Sequence, residues 1–500
     1  MRPLFFSFIL LKFFLFNDLV SIAQNTWNWV GSDNNFAITH NAVTFFENEI
    51  ITNGTTVFNG DTIPYVSLEL FKYDLFGNLI YDTLLGKIDT TYIPIYTSKV
   101  IGNTICNAGE VRYPNLPAKP YDQFASFINL DNNKIFKYIY PSDTIGANYI
   151  KKSLILNSNS YCLLFQYASI AGGGPTTSAK LVIIDSLGNI LRQKLFTHPG
   201  HWYLPTDLLQ FEDNYFLVIN KMLVNQIQNP SDLVIYKLDS LFNPIDSFKT
   251  TSNNWYYGNS TLVFPNGDFV VGGVYSDSWE PDGDVWQKKY LRKFDKNLNV
   301  IWTKYFGLRN LNTGITKLMV TSDGSIVGCG IDGFVTDTIG IHITGCIFKF
   351  TANGDSVWMH NYQAIDDPLY GDNNELLDID EMPDGGFVAC GKSVAFFPFR
   401  QRGWLIRVDA NGCLTPDCVS STKEIDNNNT FIVYPNPSNE ILSITNSNQI
   451  YSYQILQFDG KLVERGNTFP INISEYSNGL YFLQINTKSN QVINQKIIKQ

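Results

Sequence analysis

The 500-residue sequence has only 5 methionines and 5 histidines, and no apolar pattern of period 3.6 persists beyond three turns. A helix-dominated fold is thereby excluded. Nucleophile elbows, Walker loops, HExxH zinc helices, EF-hand loops and dinucleotide fingerprints are all missing, so no chemistry can be assigned from a motif. Gly172-Gly173-Gly174 is followed by Pro-Thr-Thr, without the lysine of a phosphate loop. Basic residues are also short: the formal charge is -10, with the acid excess between residues 24 and 430. That balance argues against nucleic acid as a partner, which needs clustered Lys and Arg. The 7 cysteines are odd in number and mostly isolated in strand-like runs, unlike a disulfide framework. Only Cys413 and Cys418 are spaced for a local bridge.

Metal and cofactor signals are equally sparse. His198 and His201 lack a companion carboxylate in sequence, and no metal site is assigned. The acidic run Asp366–Glu381 and the segment SDSWEPDGD from Ser276 carry the oxygen ligands calcium takes. Both read better as solvated loops, and no cofactor is expected. Cys329 and Cys390, with Gly272, occupy matching places in an internal repeat and read as small core residues.

What is abundant is strand and turn chemistry. Aromatics make up 14% of the chain, Tyr and Phe foremost. Arg2 followed by the apolar run Leu4–Phe16, with Ser21 and Ala23 at -3 and -1 of a cut before Gln24, has the layout of a signal peptide over residues 1–23. The run is too short to span a bilayer.

From there to residue 418 one phrase recurs: an apolar strand, Asp, a short Gly/Asn turn, and a second strand. Its turns begin at Asp74, Asp131, Asp185, Asp239, Asp295, Thr351 and Asp409, at spacings of 57, 54, 54, 56, 56 and 58. A second hairpin precedes the phrase, as in TLVFPNGDFVVGG from Thr261, where Asn-Gly supplies positive φ. Four antiparallel strands repeated seven times predict an all-β, seven-bladed β-propeller over 24–418. In strand and turn pattern alone the units resemble kelch-like bacterial propeller repeats. The seventh copy lacks a fourth strand, because Cys413–Cys418 contains Pro416. Thr26–Gly31 is expected to supply it and close the ring.

In such a meander the a–b and c–d turns lie at one end, and the b–c and d-to-next-a connections at the other. The long insertions all fall in the second class. One face should therefore gather Trp202, Tyr203, Trp255, Tyr256, Tyr257, Trp279 and Trp286 beside Asp277, Asp282, Asp284 and Arg400. Aromatic planes flanked by carboxylates suit a glycan or peptide ligand better than a phosphate.

A polar linker, 419–430, leads into 431–500, which reads as a small antiparallel β-sandwich. Its Tyr434-Pro435-Asn436-Pro437, Leu442, Ile444, Asp459-Gly460-Lys461, Gly479-Leu480-Tyr481, Leu483, Ile485 and Lys496 resemble the Por-type C-terminal sorting domain of the type IX secretion system. The resemblance implies passage by the Sec route and recognition at the outer-membrane translocon. It further implies removal of the domain, then release or attachment at the surface of a Gram-negative bacterium. The expected protein is a monomeric extracellular or cell-surface binding module. A secreted hydrolase or lyase acting on polysaccharide or peptide is the alternative.

Overall fold

A computed structural model describes residues 26–30, 38–58, 65–84, 91–101, 104–112, 122–129, 135–140, 148–157, 160–169, 176–198, 200–223, 231–250, 254–276, 287–310, 312–336, 340–366, 371–396, 400–414, 433–457, 461–487 and 492–500. The chain divides into two compact units, 1–422 and 423–500.

Among the described residues, the first unit holds five four-stranded antiparallel meanders followed by an eight-stranded sheet, whose two four-stranded halves meet where His342–Ile343 pairs in parallel with Asp372–Asn373. The first strands of these groups are Ile38–Phe46, Thr91–Ile101, Asn148–Asn157, His201–Phe211, Trp255–Val263, Thr313–Val320 and Asp372–Glu381. Apolar clusters lie between successive groups, because each sheet is buried on both faces. The ring closes where Val43, Ile50, Phe71 and Tyr73 of the first sheet pack with Met382, Val388, Cys390 and Leu405 of the seventh. Each such side chain, fully buried, contributes about 1.5–3 kcal/mol. This is the propeller architecture: every sheet covers its neighbour and no face is left bare.

The last sheet has only three strands of its own. Trp27–Val30 supplies the fourth, pairing antiparallel with Arg400–Val408 so that Trp27 faces Arg407 and Val30 faces Trp404. Trp27 also reaches the first sheet. Its Nε1 donates to the Leu75 carbonyl at 3.1 Å, and its ring lies against Gly77, whose φ of 81° and lack of Cβ permit the approach. Arg407 adds a bond to the same carbonyl at 2.7 Å and an ion pair to Asp384 at 2.6 Å.

The recurring aspartate builds its turn. Asp239 Oδ1 accepts the N–H groups of Leu241 (2.9 Å) and Asn243 (2.7 Å), while Asn243 donates from its side chain to Oδ2 at 3.1 Å. Asp74, Asp185 and Asp295 repeat the arrangement with Asn78, Asn189 and Asn299. The backbone N–H of Asn243, ahead of its side chain, holds the Asp239 carboxyl below the usual carboxylate range. Asp131 lies outside the described residues.

The small residues also find their reason. A Cβ on Gly272 would meet Leu318 of the next sheet at 2.7 Å, and Cys329 and Cys390 are fully buried at the equivalent places. Burial pushes both thiols well above their ordinary pKa.

His40, in the first strand, is fully buried edge-on to Phe71 and Tyr73, and burial drives its pKa down to about 3. The folded state therefore holds it neutral, while the unfolded chain protonates it near 6.5. Its contribution is complete above that value and is lost as pH falls toward about 3, at about 1.4 kcal/mol per pH unit. We expect His40→Gln to flatten the urea-midpoint profile across that interval. An unaltered acid slope would show that other groups govern it.

In the second unit, Ile450–Gln457 sits in a four-stranded sheet with Leu462–Gly466, Gly479–Thr487 and Val492–Lys499. A smaller sheet joins Val433–Tyr434, Ile441–Ile444 and Ile471–Asn472. Leu442, Ile455, Ile471, Leu483, Ile485 and Ile497 form its core.

Candidate functional site

Three regions bear on function: the channel lined by the first strands, the end of the ring where those strands begin, and the C-terminal unit.

Every first strand carries a β-bulge. The register slips between His40 and Ala42, Pro94 and Tyr96, Ile150 and Lys152, Pro205 and Asp207, Gly258 and Ser260, Ile315 and Lys317, and Leu376 and Asp378. Opposite it, in four sheets, the second strand places a glycine where no Cβ fits. One added at Gly54, Gly273, Gly330 or Gly391 would lie 2.0, 1.9, 2.0 or 1.8 Å from a backbone carbonyl oxygen.

Among the described residues the inner edge of a first strand has no antiparallel partner, and only Asp372 and Asn373 are paired there, in parallel with His342 and Ile343, so the remaining N–H groups need other acceptors. The residue after the bulge provides them for the next sheet. Asp207 Oδ2 accepts from Thr261 N (2.9 Å) and Oγ1 (2.7 Å), Ser260 Oγ from Leu318 N (3.0 Å), and Asp378 Oδ2 from Val43 N (3.1 Å). Two lysines complete the girdle. Lys152 pairs with Asp207 Oδ1 at 2.7 Å, and Lys317 with Asp378 Oδ1. Asp380 accepts from Thr44 Oγ1 and Phe45 N, both at 2.9 Å, and burial raises its carboxyl above the ordinary value.

The acidic run Asp366–Glu381 departs from expectation. Rather than a solvated loop, Asp372–Glu381 is the innermost strand of the seventh sheet. Asp372, fully buried, is bound by His342 Nδ1 at 3.0 Å and by Asn374 Nδ2 at 2.9 Å. Glu381 accepts from Ser322 N and Oγ. These carboxylates are engaged by protein donors. Among the described residues no three His, Cys, Asp or Glu side chains are grouped to hold an ion.

The girdle was missed in sequence, although a signal exists: Lys152, Asp207, Ser260, Lys317 and Asp378 are polar residues recurring at one place in otherwise apolar strands.

The aromatic residues assigned to the long-loop face separate into two sets. Trp202, Tyr203, Trp255, Tyr256 and Tyr257 begin first strands rather than occupying loops. Tyr203 is 4% exposed within the cluster joining the third and fourth sheets, its hydroxyl 3.2 Å from that of Tyr236. Tyr256 is 6% exposed, hydrogen-bonded to the Tyr305 hydroxyl at 2.7 Å, with the Arg292 guanidinium 4.7 Å from its ring centroid. Both are turned into the core between sheets and are withdrawn from a ligand surface. Strand alternation puts Trp255 and Tyr257 on the other side, half-buried and stacked at 5.7 Å. Trp202 is half-buried and Arg400 exposed. Asp277, Trp279, Asp282, Asp284 and Trp286 lie outside the described residues. Trp255 pairs with Ser276. Cys413 is buried, and Cys418 lies outside the described residues.

In the C-terminal unit, motif residues far apart in sequence meet. Asn436 donates from Nδ2 to the Lys496 carbonyl at 2.6 Å and accepts from Ile498 N at 2.9 Å, locking the Tyr-Pro-Asn-Pro loop to the last strand. Ser438 N bonds the Ile498 carbonyl at 2.9 Å. Tyr434, Pro435, Pro437, Gly479 and Lys496 are exposed, whereas Tyr481 is buried with its hydroxyl on the Ser477 carbonyl at 2.8 Å. Asp459 and Gly460 fall outside the described residues, and Lys461 follows them, its carbonyl accepting from Gln457 N at 2.8 Å.

Compared with known proteins, residues 432–500 match the family described as the secretion system C-terminal sorting domain. No curated protein matches the chain in sequence. Among solved structures it is similar to polysaccharide lyase Uly1, at 9% identity and a TM-score of 0.43 over 74% of this chain and 90% of that one. It is similar to the β-propeller domain of the Trilobed protease from Pyrococcus furiosus, at 10% identity and a TM-score of 0.40 over 78% and 99%. The acylaminoacyl peptidase of Pyrococcus horikoshii follows at 9% and 0.42, over 83% and 58%. The C-terminal segment is thus a type IX sorting domain, and the chain is one exported to the cell surface or the extracellular space.

Proposed function

We propose that the propeller is the cargo of this export, and that it works outside the cell as a binding module for a glycan or peptide. In this reading residues 1–23 direct Sec passage and are removed. The sorting domain then engages the outer-membrane translocon and is cut away, and a Cys413–Cys418 bridge staples the exit from the ring. Release or surface attachment of a monomer follows.

The observation that supports binding is the Trp255–Tyr257 pair, stacked and partly exposed at the start of a first strand. Such rings contribute affinity through flat apolar area at small entropic cost. In this reading Trp202, Arg400, Asp277, Trp279, Asp282, Asp284 and Trp286 contribute to the same ligand face. The test is a panel of glycans and peptides, scored for both binding and turnover. Once a ligand is in hand, Trp255→Ala should weaken it about tenfold or more, and Tyr256→Phe should leave affinity unchanged, since Tyr256 is buried. Turnover of a panel member would favour the hydrolase or lyase reading instead. Full affinity in Trp255→Ala, Trp279→Ala and Trp286→Ala alike would remove the face from consideration.

A further inference from the structure

The first strands line a half-open cavity of about 450 Å3 whose walls include Thr44, Lys152, Lys317, Asp378 and Asp380. Its residues lie from the bulges to the short a–b turns, so it occupies the half of the channel away from Trp255. Thr261, at its wall, stands six residues along the strand from Trp255, about 20 Å. The volume falls within the range of small-molecule sites, about 300–1,000 Å3.

The hydrogen-bonding balance of this cavity is uneven. Its carboxylates are directed into the wall. Asp207, beside it, accepts Lys152, Leu208 N, Thr261 N and Thr261 Oγ1. Asp378 accepts Lys317 and Val43 N, and Asp380 accepts Thr44, Phe45 N and its neighbour Glu381 N. The lysines are the reverse. An ammonium offers three donors. Among the described residues Lys152 spends one on Asp207 and Lys317 one on Asp378, while both line the cavity at 14% and 17% exposure. Two ammoniums from the third and sixth sheets therefore bring spare donors into one small space, already oriented by their aspartates.

We propose that this half of the channel binds a small oxygen-rich monoanion, a sugar acid or hydroxy acid, its carboxylate on one ammonium and its further oxygens on the other. The charge on the ligand must be small, because Asp207 and Asp378 already offset the two lysines and Asp380 lies in the same wall; a monoanion is held by the ammonium hydrogens it reaches rather than by a net positive site. A multiply charged anion would add more uncompensated charge to a partly buried site. A neutral polyol would forgo the charge-assisted bond, which is roughly twice as strong as a neutral one. The site is separate from the Trp255 face and does not rest on it.

The test is calorimetric titration of the full chain with gluconate and galacturonate. Sorbitol and galactose serve as uncharged counterparts of similar skeleton. The acids should bind at least about tenfold more tightly than their counterparts, and raised salt should weaken them. Equal affinity of acid and neutral forms, or no heat from either acid at millimolar concentration, overturns the proposal, and this comparison needs no variant. Lys317→Gln combined with Asp378→Asn removes one of the two ammoniums without stranding its partner charge, and should reduce the acid preference. A folded double variant that keeps the full preference also overturns it. Trp255→Ala should leave acid binding unchanged; loss of binding there would assign the ligand to the other face and refute this site.

Discussion

A chain ending at residue 430 is expected to accumulate in the periplasm, with surface and medium levels at background. The address is a folded object rather than a tail of residues. Asn436 couples the Tyr-Pro-Asn-Pro loop to the last strand through two hydrogen bonds, so the exposed Tyr434, Pro435 and Pro437 are presented beside Lys496. Removing the domain takes away that whole surface and leaves the propeller's own inter-sheet cores untouched, since those lie within residues 1–422. Cell fractionation should therefore find a folded body in the wrong compartment. Asn436→Ala is the finer probe. Each lost bond is worth about 0.5–1.5 kcal/mol, enough to free the loop while Leu442, Ile455 and Leu483 keep the core. Export should fall in this variant without loss of the domain's near-ultraviolet signal. Truncated protein reaching the surface at ordinary levels would show that sorting does not depend on this unit.

Deleting residues 24–31 should lower the melting temperature of the body by about 6 °C. The deletion opens the edge of Arg400–Val408 and strips the Trp27 ring from Gly77 and Leu75. It also orphans the Trp404 indole, fully buried and donating to Asn28 Oδ1 at 2.6 Å. Lost aromatic burial and a stranded buried donor each cost about 1–3 kcal/mol. With the lost strand pairing, the total is about 5 kcal/mol, which in a domain of this size corresponds to the stated shift. Because the strand ties the seventh sheet to the first, the loss should spread around the ring rather than fray one terminus. Calorimetry of chains beginning at residue 24 and at residue 32 makes the comparison. Coincident melting curves would mean that the inter-sheet clusters hold the ring without this strand.

How much of this was legible beforehand depended on range. The Asp-x-x-Gly-Asn turns could be read because their physics is local. Asp74 needs only Phe76, Gly77 and Asn78 to form its turn, and the same five positions recur with the repeat. The N-terminal strand could be read by subtraction, a missing strand at one end answered by a spare at the other. The Tyr-Pro-Asn-Pro and Gly-Leu-Tyr motifs could be recognised, although not that Asn436 would clasp the backbone on either side of Ile497.

The channel was decided by tertiary structure. A bulge shifts the alternation of a strand by one residue, so it exchanges which side chains face the core and which face the channel. No periodicity within the strand announces it; the cue, a glycine without room for Cβ, sits on the neighbouring strand. Hence Tyr203 and Tyr256, counted from sequence with the binding aromatics, are turned into inter-sheet cores, and the Asp372–Glu381 run became a buried girdle. Charges such as Lys152 and Asp207, or Lys317 and Asp378, find each other only because sheets some 55–61 residues apart stack face to face. By itself the sequence determined strands, turns and their repetition, since these need only neighbouring residues. Which polar side chains meet inside the ring was settled by its closure, because their partners belong to a different repeat.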